Sequence, residues 1–373
     1  MSDKMLTRNN YLSQNKGFFD QSIEINGIKY EKVEDLRYGT NPHQPAAFYR
    51  PIGIDTPIGN MKVLKTGKNG LSQTNLEDIS YAINIIKFFK KPAVAVMKHV
   101  NPSGVAAARE NESLKKVYIK ARDCDPRAAF GSTIAFNYEV NESTAAEIMS
   151  TFNECVVAPA YTESALKIFN DNENYKINKH IRILQCGNIN SIPKFIGEAK
   201  KEHQTIKIIA DGSLIIAEPL LTNVKSFADI HPALAENNVI GKQISTRNPT
   251  NEQLEDILTA WYININVRSN GVVIVKNGQT LSVGTGEQDR VGAVEQAIAK
   301  FNEKYKGCES LQNAVMSSDG FFPFYDGIEI AAQAGISAII APSGSVKDAE
   351  VIKRANELNV ALLFAPERIF SHH

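Results

Sequence analysis

Short apolar segments alternate with amphipathic segments of helical period along most of this chain, and that alternation restricts the fold more than any other feature. The strands are predicted at residues 92–97, 132–136, 155–158, 181–184, 206–209, 214–216, 272–275, 280–283, 338–340 and 360–364. The helices are predicted at residues 76–89, 113–122, 142–152, 162–169, 252–263, 291–301 and 347–358. Such alternation predicts an α/β fold with a largely parallel sheet that is covered by helices on both faces.

The length of 373 residues predicts more than one domain, because single cores stop growing at about 250–300 residues. A polar, irregular stretch at 171–205 separates two halves that contain strand–loop–helix units of similar size. We therefore predict an N-terminal arm or short hairpin at 1–35, a first α/β domain at 36–195 and a second at 196–373.

The charges of the chain balance, with 41 Lys and Arg against 41 Asp and Glu. This balance gives no electrostatic footprint for nucleic acid or for an anionic membrane. The N-terminus lacks the apolar core of a signal peptide, and no stretch approaches membrane-spanning length. We expect a cytoplasmic protein without nucleic-acid or membrane partners. The cysteines have no paired spacing, so we expect buried thiols rather than disulfides or a metal site; they are Cys124, Cys155, Cys186 and Cys308.

The strand predicted at 92–97 ends in two adjacent polar side chains, Lys98 and His99. The turn sequence NPSG at 101–104 follows and is predicted to lead into an alanine-rich helix. Ligands of open α/β sheets bind at the carboxyl ends of strands, where a cation and an imidazole are well placed for chemistry. The alternative is a solvated lysine beside a histidine that hydrogen-bonds a loop. Position alone leaves both interpretations open.

Two further segments have the composition of ligand-binding loops. Residues 283–290 carry two glycines before a helix, which suits either an anion site or a tight turn. Residues 317–327 crowd four aromatic side chains between Gly, Pro and Asp, which suits either the wall of a flat heterocycle site or a plug of the core. The zinc-deaminase signature, HExxH and GxSxG are all missing from the sequence.

Six motifs in one order carry a resemblance to a known family: LRYGTNPHQ (36–44), KHVNPSG (98–104), DPRAAFGS (125–132), RSNG (268–271), SDGFFPF (318–324) and ERIFSHH (367–373). From residue 36 onward they resemble the AICAR transformylase region of bifunctional purine biosynthesis proteins. The resemblance implies two related cytidine-deaminase-like, three-layer α/β domains without a zinc site. Residues 1–35 are too few for the IMP cyclohydrolase domain of that family. We therefore expect a stand-alone transformylase and a separate cyclohydrolase downstream.

The reaction that the resemblance implies is formyl transfer from the co-substrate 10-formyltetrahydrofolate to the 5-amino group of AICAR, which gives FAICAR in de novo IMP synthesis. The amine is a poor nucleophile because its lone pair is delocalised into the imidazole and its carboxamide. The reaction therefore needs a base for the amine proton and a cation at the formyl oxyanion. By resemblance His99 is the base, Lys98 stabilises the oxyanion, and Asn270 orients the formyl group.

The resemblance also assigns ligand-binding positions and partners. The AICAR residues are Arg37, Tyr38, Asn75, Gly131, Glu154, Phe321 and Arg368, and Arg368 would bind the phosphate. The folate residues are Phe130, Arg290, Pro323, Phe324 and Asp326. No catalytic metal is implied, and a structural monovalent cation is left open. The family relationship further implies a homodimer with shared active sites.

The sequence also departs from the family pattern, at Arg127–Ala129, Ser132, Asp289 and residues 208–220, and Glu154 replaces an Asp of some relatives. Two alternatives therefore stay open. One is an AICAR formyltransferase that uses a different formyl donor. The other is a non-catalytic nucleotide- or folate-binding homologue, against which the joint presence of Lys98, His99 and Asn270 argues.

Overall fold

The computed structural model describes residues 17–67, 69–305 and 307–372. The strands are β1 (Ser22–Ile25), β2 (Ile28–Asp35), β3 (Ala47–Pro51), β4 (Lys62–Lys65), β5 (Ala93–Lys98), β6 (Asn101–Ala107), β7 (Ser132–Phe136), β8 (Asn153–Ala158), β9 (Arg182–Gln185), β10 (Thr205–Ile208), β11 (Leu214–Ala217), β12 (His231–Pro232), β13 (Leu234–Asn237), β14 (Gly241–Ile244), β15 (Val272–Lys276), β16 (Gln279–Gly284), β17 (Val315–Ser318), β18 (Ala338–Pro342) and β19 (Ala361–Ala365). The α-helices are α1 (Gln73–Ile86), α2 (Leu114–Asp123), α3 (Pro126–Ala129), α4 (Glu142–Met149), α5 (Glu163–Asn170), α6 (Asn251–Asn264), α7 (Arg290–Tyr305), α8 (Asp326–Ala334) and α9 (Asp348–Glu357). These elements confirm the predicted α/β class.

The residues group into two compact units that are not continuous in sequence. The first contains the described residues up to Val100 together with Arg127–Ile192, and the second contains Asn101–Pro126 together with the chain from Pro193 onward. The change of unit after Ile192 lies close to the predicted boundary at 195. The continuous first domain predicted at 36–195 is not observed, because strand β6 pairs with β16, with Ala106 opposite Gln279.

The first unit contains two sheets. Strands β1, β2 and β3 form an antiparallel sheet, and the hairpin β1–β2 lies within the predicted N-terminal arm, whose residues 1–16 are outside the described residues. The other sheet has the order β5-β7-β8-β9-β4. Strands β7, β8 and β9 are parallel and connected through helices α4 and α5, whereas β5 and β4 pair antiparallel at the two sides.

The large sheet of the second unit has the order β12-β19-β18-β17-β15-β16-β6, and the hairpins β10–β11 and β13–β14 form two small sheets beside it in sequence. Strands β17, β18 and β19 are parallel, and the remaining pairs are antiparallel. The largely parallel sheet that we predicted is therefore a mixed sheet in both units. The core of this unit packs the apolar side chains of β15, β17, β18 and β19 against those of α7, α8 and α9.

The segment after His99 differs most from the prediction. Residues 101–107 form strand β6 rather than a turn followed by an alanine-rich helix. The backbone of Gly104 packs closely against α2. A Cβ atom at this position would lie 2.0 Å from the Ala121 carbonyl oxygen. Packing thus requires the glycine at 104, and the alanines that follow belong to a strand rather than to a helix.

Two other expectations can be compared with the structure. Cys124, Cys155 and Cys186 are buried free thiols as predicted, but Cys308 is exposed because it lies in the loop after α7. In the part of the chain that the structure describes, no helix combines the length and apolar character that a bilayer span requires.

Candidate active site

Lys98 is the last residue of strand β5, and His99 follows it at the carboxyl end of the strand. Its five preceding side chains are all buried, Lys98 is half-buried and His99 is exposed. The Lys98 Nζ atom donates a hydrogen bond to the carbonyl oxygen of Gly131, at 2.7 Å. A buried strand therefore fixes the lysine stem, and a backbone acceptor fixes its ammonium group.

The chain leaves β5 through two consecutive residues with positive φ, His99 at +54° and Val100 at +63°. This left-handed conformation is unfavourable for side chains with a Cβ, and especially for a β-branched one. The Val100 N–H donates to the Oδ1 atom of Asp78, at 2.7 Å. A side chain of α1 thereby holds the turn that carries His99.

Asp78 is 5% exposed, so its carboxyl has lost most of its water. Burial raises its pKa to about 6, although the Val100 N–H and the Lys98 ammonium both act to lower it. The carboxylates of Glu154 and Glu77 act in the raising direction. Lys98 and Glu154, both predicted site residues, therefore lie close enough to Asp78 to affect its ionisation.

The N-terminus of α1 brings two predicted AICAR residues together. Ser72 and Asn75 form a capping box, in which each side chain accepts the other residue's backbone N–H. The Nδ2 atom of Asn75 donates to the Oε2 atom of Glu154, at 3.1 Å. The capping bonds use the Oδ1 atom and the N–H of Asn75. Its Nδ2 group therefore remains for the bond to Glu154, on strand β8.

The loop with Arg37 and Tyr38 is fastened to the residues that begin α1. The Arg37 N–H donates to the Leu71 carbonyl at 2.8 Å, and the Gln73 N–H donates to the Tyr38 carbonyl at 3.0 Å. The Arg37 guanidinium carbon lies 5.0 Å from the centre of the Tyr38 ring, within cation–π range.

Phe130 and Gly131 lie in the turn before β7. Gly131 has φ +73°, and its N–H donates to the Phe152 carbonyl at 2.8 Å. The rings of Phe130 and Phe152 are 5.1 Å apart between centroids. The Phe130 side chain is nevertheless 59% exposed, which leaves its ring accessible to a ligand.

In the second unit, Asn270 lies in a loop between α6 and β15 that several polar contacts hold. Both its N–H and its Nδ2 atom donate to the Glu287 carbonyl, at 3.2 and 2.8 Å, and the Ser269–Asn270 peptide bond is cis. The Oδ1 atom of Asn101 accepts from the Arg268 N–H at 3.0 Å and from the Thr285 hydroxyl at 2.9 Å. Asn101 belongs to the KHVNPSG motif. This motif therefore contributes a side chain that holds the Asn270 loop, in addition to the Lys98–His99 pair.

Arg290, predicted for folate, occupies a buried ion pair with Asp319. Asp319 is 0% exposed and its Oδ2 atom accepts the Gly271 N–H at 2.9 Å. Its carbonyl accepts the Ile369 N–H at 3.1 Å. The ion pair therefore supports the residues that follow Asn270 and Arg368. Binding of folate by Arg290 stays a prediction, and in this structure its guanidinium has an internal partner.

The SDGFFPF segment splits its aromatic side chains between the core and the surface. Phe322 is buried, Phe321 and Pro323 are half-buried, and Phe324 and Asp326 are exposed. The buried Phe322 agrees with the core-plug interpretation, and the ligand-wall interpretation of the exposed side chains stays a prediction. Arg368 is exposed, and its guanidinium carbon lies 4.5 Å from the centre of the Phe370 ring. The guanidinium carbon of Arg290 lies 5.7 Å from the centre of the same ring.

The sequence interpretation missed Asp78 and Asp319. The available signal for Asp78 was its helical spacing, because Asn75, Asp78, Ala82 and Ile85 lie on one side of α1 and all are buried. A carboxylate in such a buried row needs a partner. Asp319 lies inside the SDGFFPF motif, but its partners Arg290 and Gly271 are too distant in sequence to be inferred.

A family profile described as the AICARFT/IMPCHase bienzyme matches residues 3–300. The chain belongs to this family. Among curated relatives, the bifunctional purine biosynthesis protein PurH of Acetivibrio thermocellus is 38% identical over 95% of this chain and 62% of its own length. The proteins of the same name from Anoxybacillus flavithermus and Oceanobacillus iheyensis are 36% and 35% identical, over 92% and 98% of this chain and 60% and 64% of their lengths. The chain thus spans less than two thirds of these relatives.

Proposed function

We propose that this member of the AICARFT/IMPCHase family acts in purine biosynthesis by transferring the formyl group of 10-formyltetrahydrofolate to the 5-amino group of AICAR. The observation that carries the proposal is the end of strand β5. There Lys98 is anchored 2.7 Å from the Gly131 carbonyl and is followed by an exposed His99. Formyl transfer to a weak amine needs such a pair of cation and base.

In the proposed reaction the AICAR amine attacks the formyl carbon, a C–N bond forms, and the bond to N10 of the folate breaks. His99 accepts the proton that the amine loses, and this proton is then delivered to N10 of the leaving tetrahydrofolate. The ammonium group of Lys98 has three N–H donors, and Gly131 uses one. In the proposed reaction the other two N–H donors stabilise the oxyanion, while Asn270 orients the formyl group.

Substrate binding is proposed to use the positions that the resemblance assigns. The exposed Arg368 guanidinium offers a bidentate contact for the ribotide phosphate. Its stacking on Phe370 restricts its direction, which lowers the conformational cost of binding. Asn75 and Glu154, joined by a 3.1 Å hydrogen bond, offer both a donor and acceptors to the heterocycle and its ribose.

For the folate, two aromatic side chains support the proposal. Phe130 and Phe324 are 59% and 58% exposed, which is unusual for rings of this size and suits stacking on a flat ligand. Asp326 is exposed two residues after Phe324 and offers a carboxylate for the pterin amino group. Arg290 keeps its predicted folate role in this proposal, and its ion pair with the buried Asp319 also supports the Asn270 loop.

The test is incubation of the purified chain with AICAR and 10-formyltetrahydrofolate, with FAICAR and tetrahydrofolate measured by liquid chromatography and mass spectrometry. Equal amounts of the two products are expected. Product formation only when formate and ATP replace the folate would instead support the alternative donor. Binding of AICAR without turnover under either condition would support a non-catalytic homologue.

Two further properties belong to the same proposal. The chain forms a homodimer, which the exposed apolar side chains of hairpin β10–β11 support, since Ile208, Leu214 and Ile215 are 74%, 54% and 51% exposed. Light scattering should give twice the mass of 41.1 kDa. The chain acts in the cytoplasm.

A further inference from the structure

The turn after β5 has a backbone conformation that its own residues do not favour. His99 and Val100 both have positive φ, and neither is glycine. Left-handed backbone is disfavoured for L-residues, and Val is β-branched. The direction in which the His99 side chain leaves the strand depends directly on this conformation. Something outside the turn has to stabilise it.

The stabilising contact comes from α1. The Asp78 Oδ1 atom accepts the Val100 N–H at 2.7 Å. Asp78 lies one helical turn after Asn75, on a helix whose start is fixed by the Ser72–Asn75 capping box. The helix is packed by Ile79, Ile83 and Ile86, all of which are 0% exposed. The acceptor is thus presented by a rigid element rather than by another loop.

We infer that Asp78 is a positioning residue, which accepts the Val100 amide and so fixes the left-handed turn from which His99 projects. The inference rests on the proposed function, because His99 is the proposed base. Asp78 is 5% exposed and is not proposed to contact substrate. Its charge faces Lys98, Glu154 and Glu77, but the positioning role needs only its acceptor atom.

Two substitutions separate the acceptor from the charge. Asp78→Asn keeps an oxygen at Oδ1 and removes the charge, whereas Asp78→Ala removes both. We expect Asp78→Ala to lower kcat by about 10²-fold, because a displacement of roughly 1 Å at a catalytic group has such an effect. The KM for AICAR should stay within about twofold, because Asp78 does not belong to the proposed binding groups. Asp78→Asn should recover most of the lost kcat.

A control variant, Ile83→Ala, removes a buried side chain of the same helix that lies more than one helical turn after Asp78. It should lower thermal stability and leave kcat per folded molecule unchanged. Hydrogen exchange of the Val100 amide gives a second readout, with protection expected in wild type and Asp78→Asn and loss of protection in Asp78→Ala. If Asp78→Ala does not fold, Asp78→Val fills more of the space, lacks the acceptor and takes its place.

The outcomes distinguish this inference from the proposed function. Wild-type kcat and a protected Val100 amide in Asp78→Ala would overturn the positioning role and leave the proposed function intact. An Asp78→Asn enzyme as slow as Asp78→Ala would also overturn it, because the charge and not the acceptor would then be needed. A wild-type protein that makes no FAICAR would overturn the proposed function and with it this role of Asp78.

Discussion

The Nζ atom of Lys98 and the carbonyl oxygen of Gly131 lie 2.7 Å apart, in a space that a side chain at position 131 would narrow. Gly131 has φ +73°, and a Cβ atom there would lie 3.3 Å from the Lys98 Nζ and 3.1 Å from the Phe152 ring. The backbone that anchors the ammonium group thus also leaves room for it.

Gly131→Ala should therefore lower kcat about 10-fold, because displacement of the lysine ammonium weakens its contact with the oxyanion. Gly53→Ala is the matched control, since Gly53 has φ +77° and no atom within 4 Å of the added Cβ. Both variants should lose about 1–2 kcal/mol of unfolding free energy through left-handed strain. Equal kcat in the two would show that Gly131 has only a conformational role.

The Lys98 and His99 side chains should contribute to a single transition state. His99→Ala is expected to lower kcat by about 10²–10⁴-fold, and Lys98→Ala by about 10²–10³-fold. The double variant should lose less than the product of the two single losses. Calorimetric titration with AICAR checks that His99→Ala still binds substrate. Wild-type turnover in both single variants would contradict a catalytic role for the end of β5.

Arg368→Ala should raise the KM for AICAR strongly. A hydrogen bond to a charged group contributes about 1.5–3 kcal/mol, which corresponds to an increase of roughly 10- to 150-fold. Arg354→Ala, which removes a guanidinium that pairs with Glu329 and Glu357 on the surface of the same unit, is the control and should leave KM unchanged. Similar KM values in the two variants would argue against phosphate binding by Arg368.

Asp78 should make stability depend on pH in a direction opposite to that of most carboxylates. Burial raises its pKa from 3.8 to about 6, so the folded protein holds a proton that the unfolded chain releases first. Stability from this group is therefore complete below about pH 4 and is lost as the pH rises through about 6. Two pH units correspond to about 3 kcal/mol.

Urea unfolding of wild type and Asp78→Asn between pH 4 and pH 8 measures this effect. The unfolding free energy of wild type should fall relative to that of Asp78→Asn by about 3 kcal/mol over this range. A constant difference between the two proteins would show that the folded and unfolded states bind the proton equally well.

Local patterns were sufficient to predict many of the elements. The strand Ser132–Phe136 was predicted with its observed ends, because the Phe-Gly turn before it and Asn137 after it bound a short run without charged residues. Helix α6 was predicted to within one residue at each end, with a Thr250 cap and a Gln253 partner in the sequence. In these segments the local preference and the tertiary environment agree.

Strand β6 could not be predicted in the same way. Its Val105 N–H donates to the Thr280 hydroxyl 175 positions away, so its conformation depends on a partner that no local window contains. The same limit applies to the site. The Lys98–His99 pair is visible as adjacent letters, but the Arg290–Asp319 ion pair and the Asp78–Val100 bond exist only after folding. Resemblance supplied the ligand-binding positions without supplying these supporting contacts.

The interleaved order of the two units has a consequence for the protein while it is still on the ribosome. The last residue of the first unit is Ile192, so that unit is complete in sequence while the second is only partly made. Strand β6, however, emerges about 170 residues before its partner β16. At about 5–20 residues per second, β6 waits on the order of ten to thirty seconds for that partner. A nascent chain stalled in this interval would present the edge of β6 that β16 later covers, and it is there that we expect a chaperone to bind.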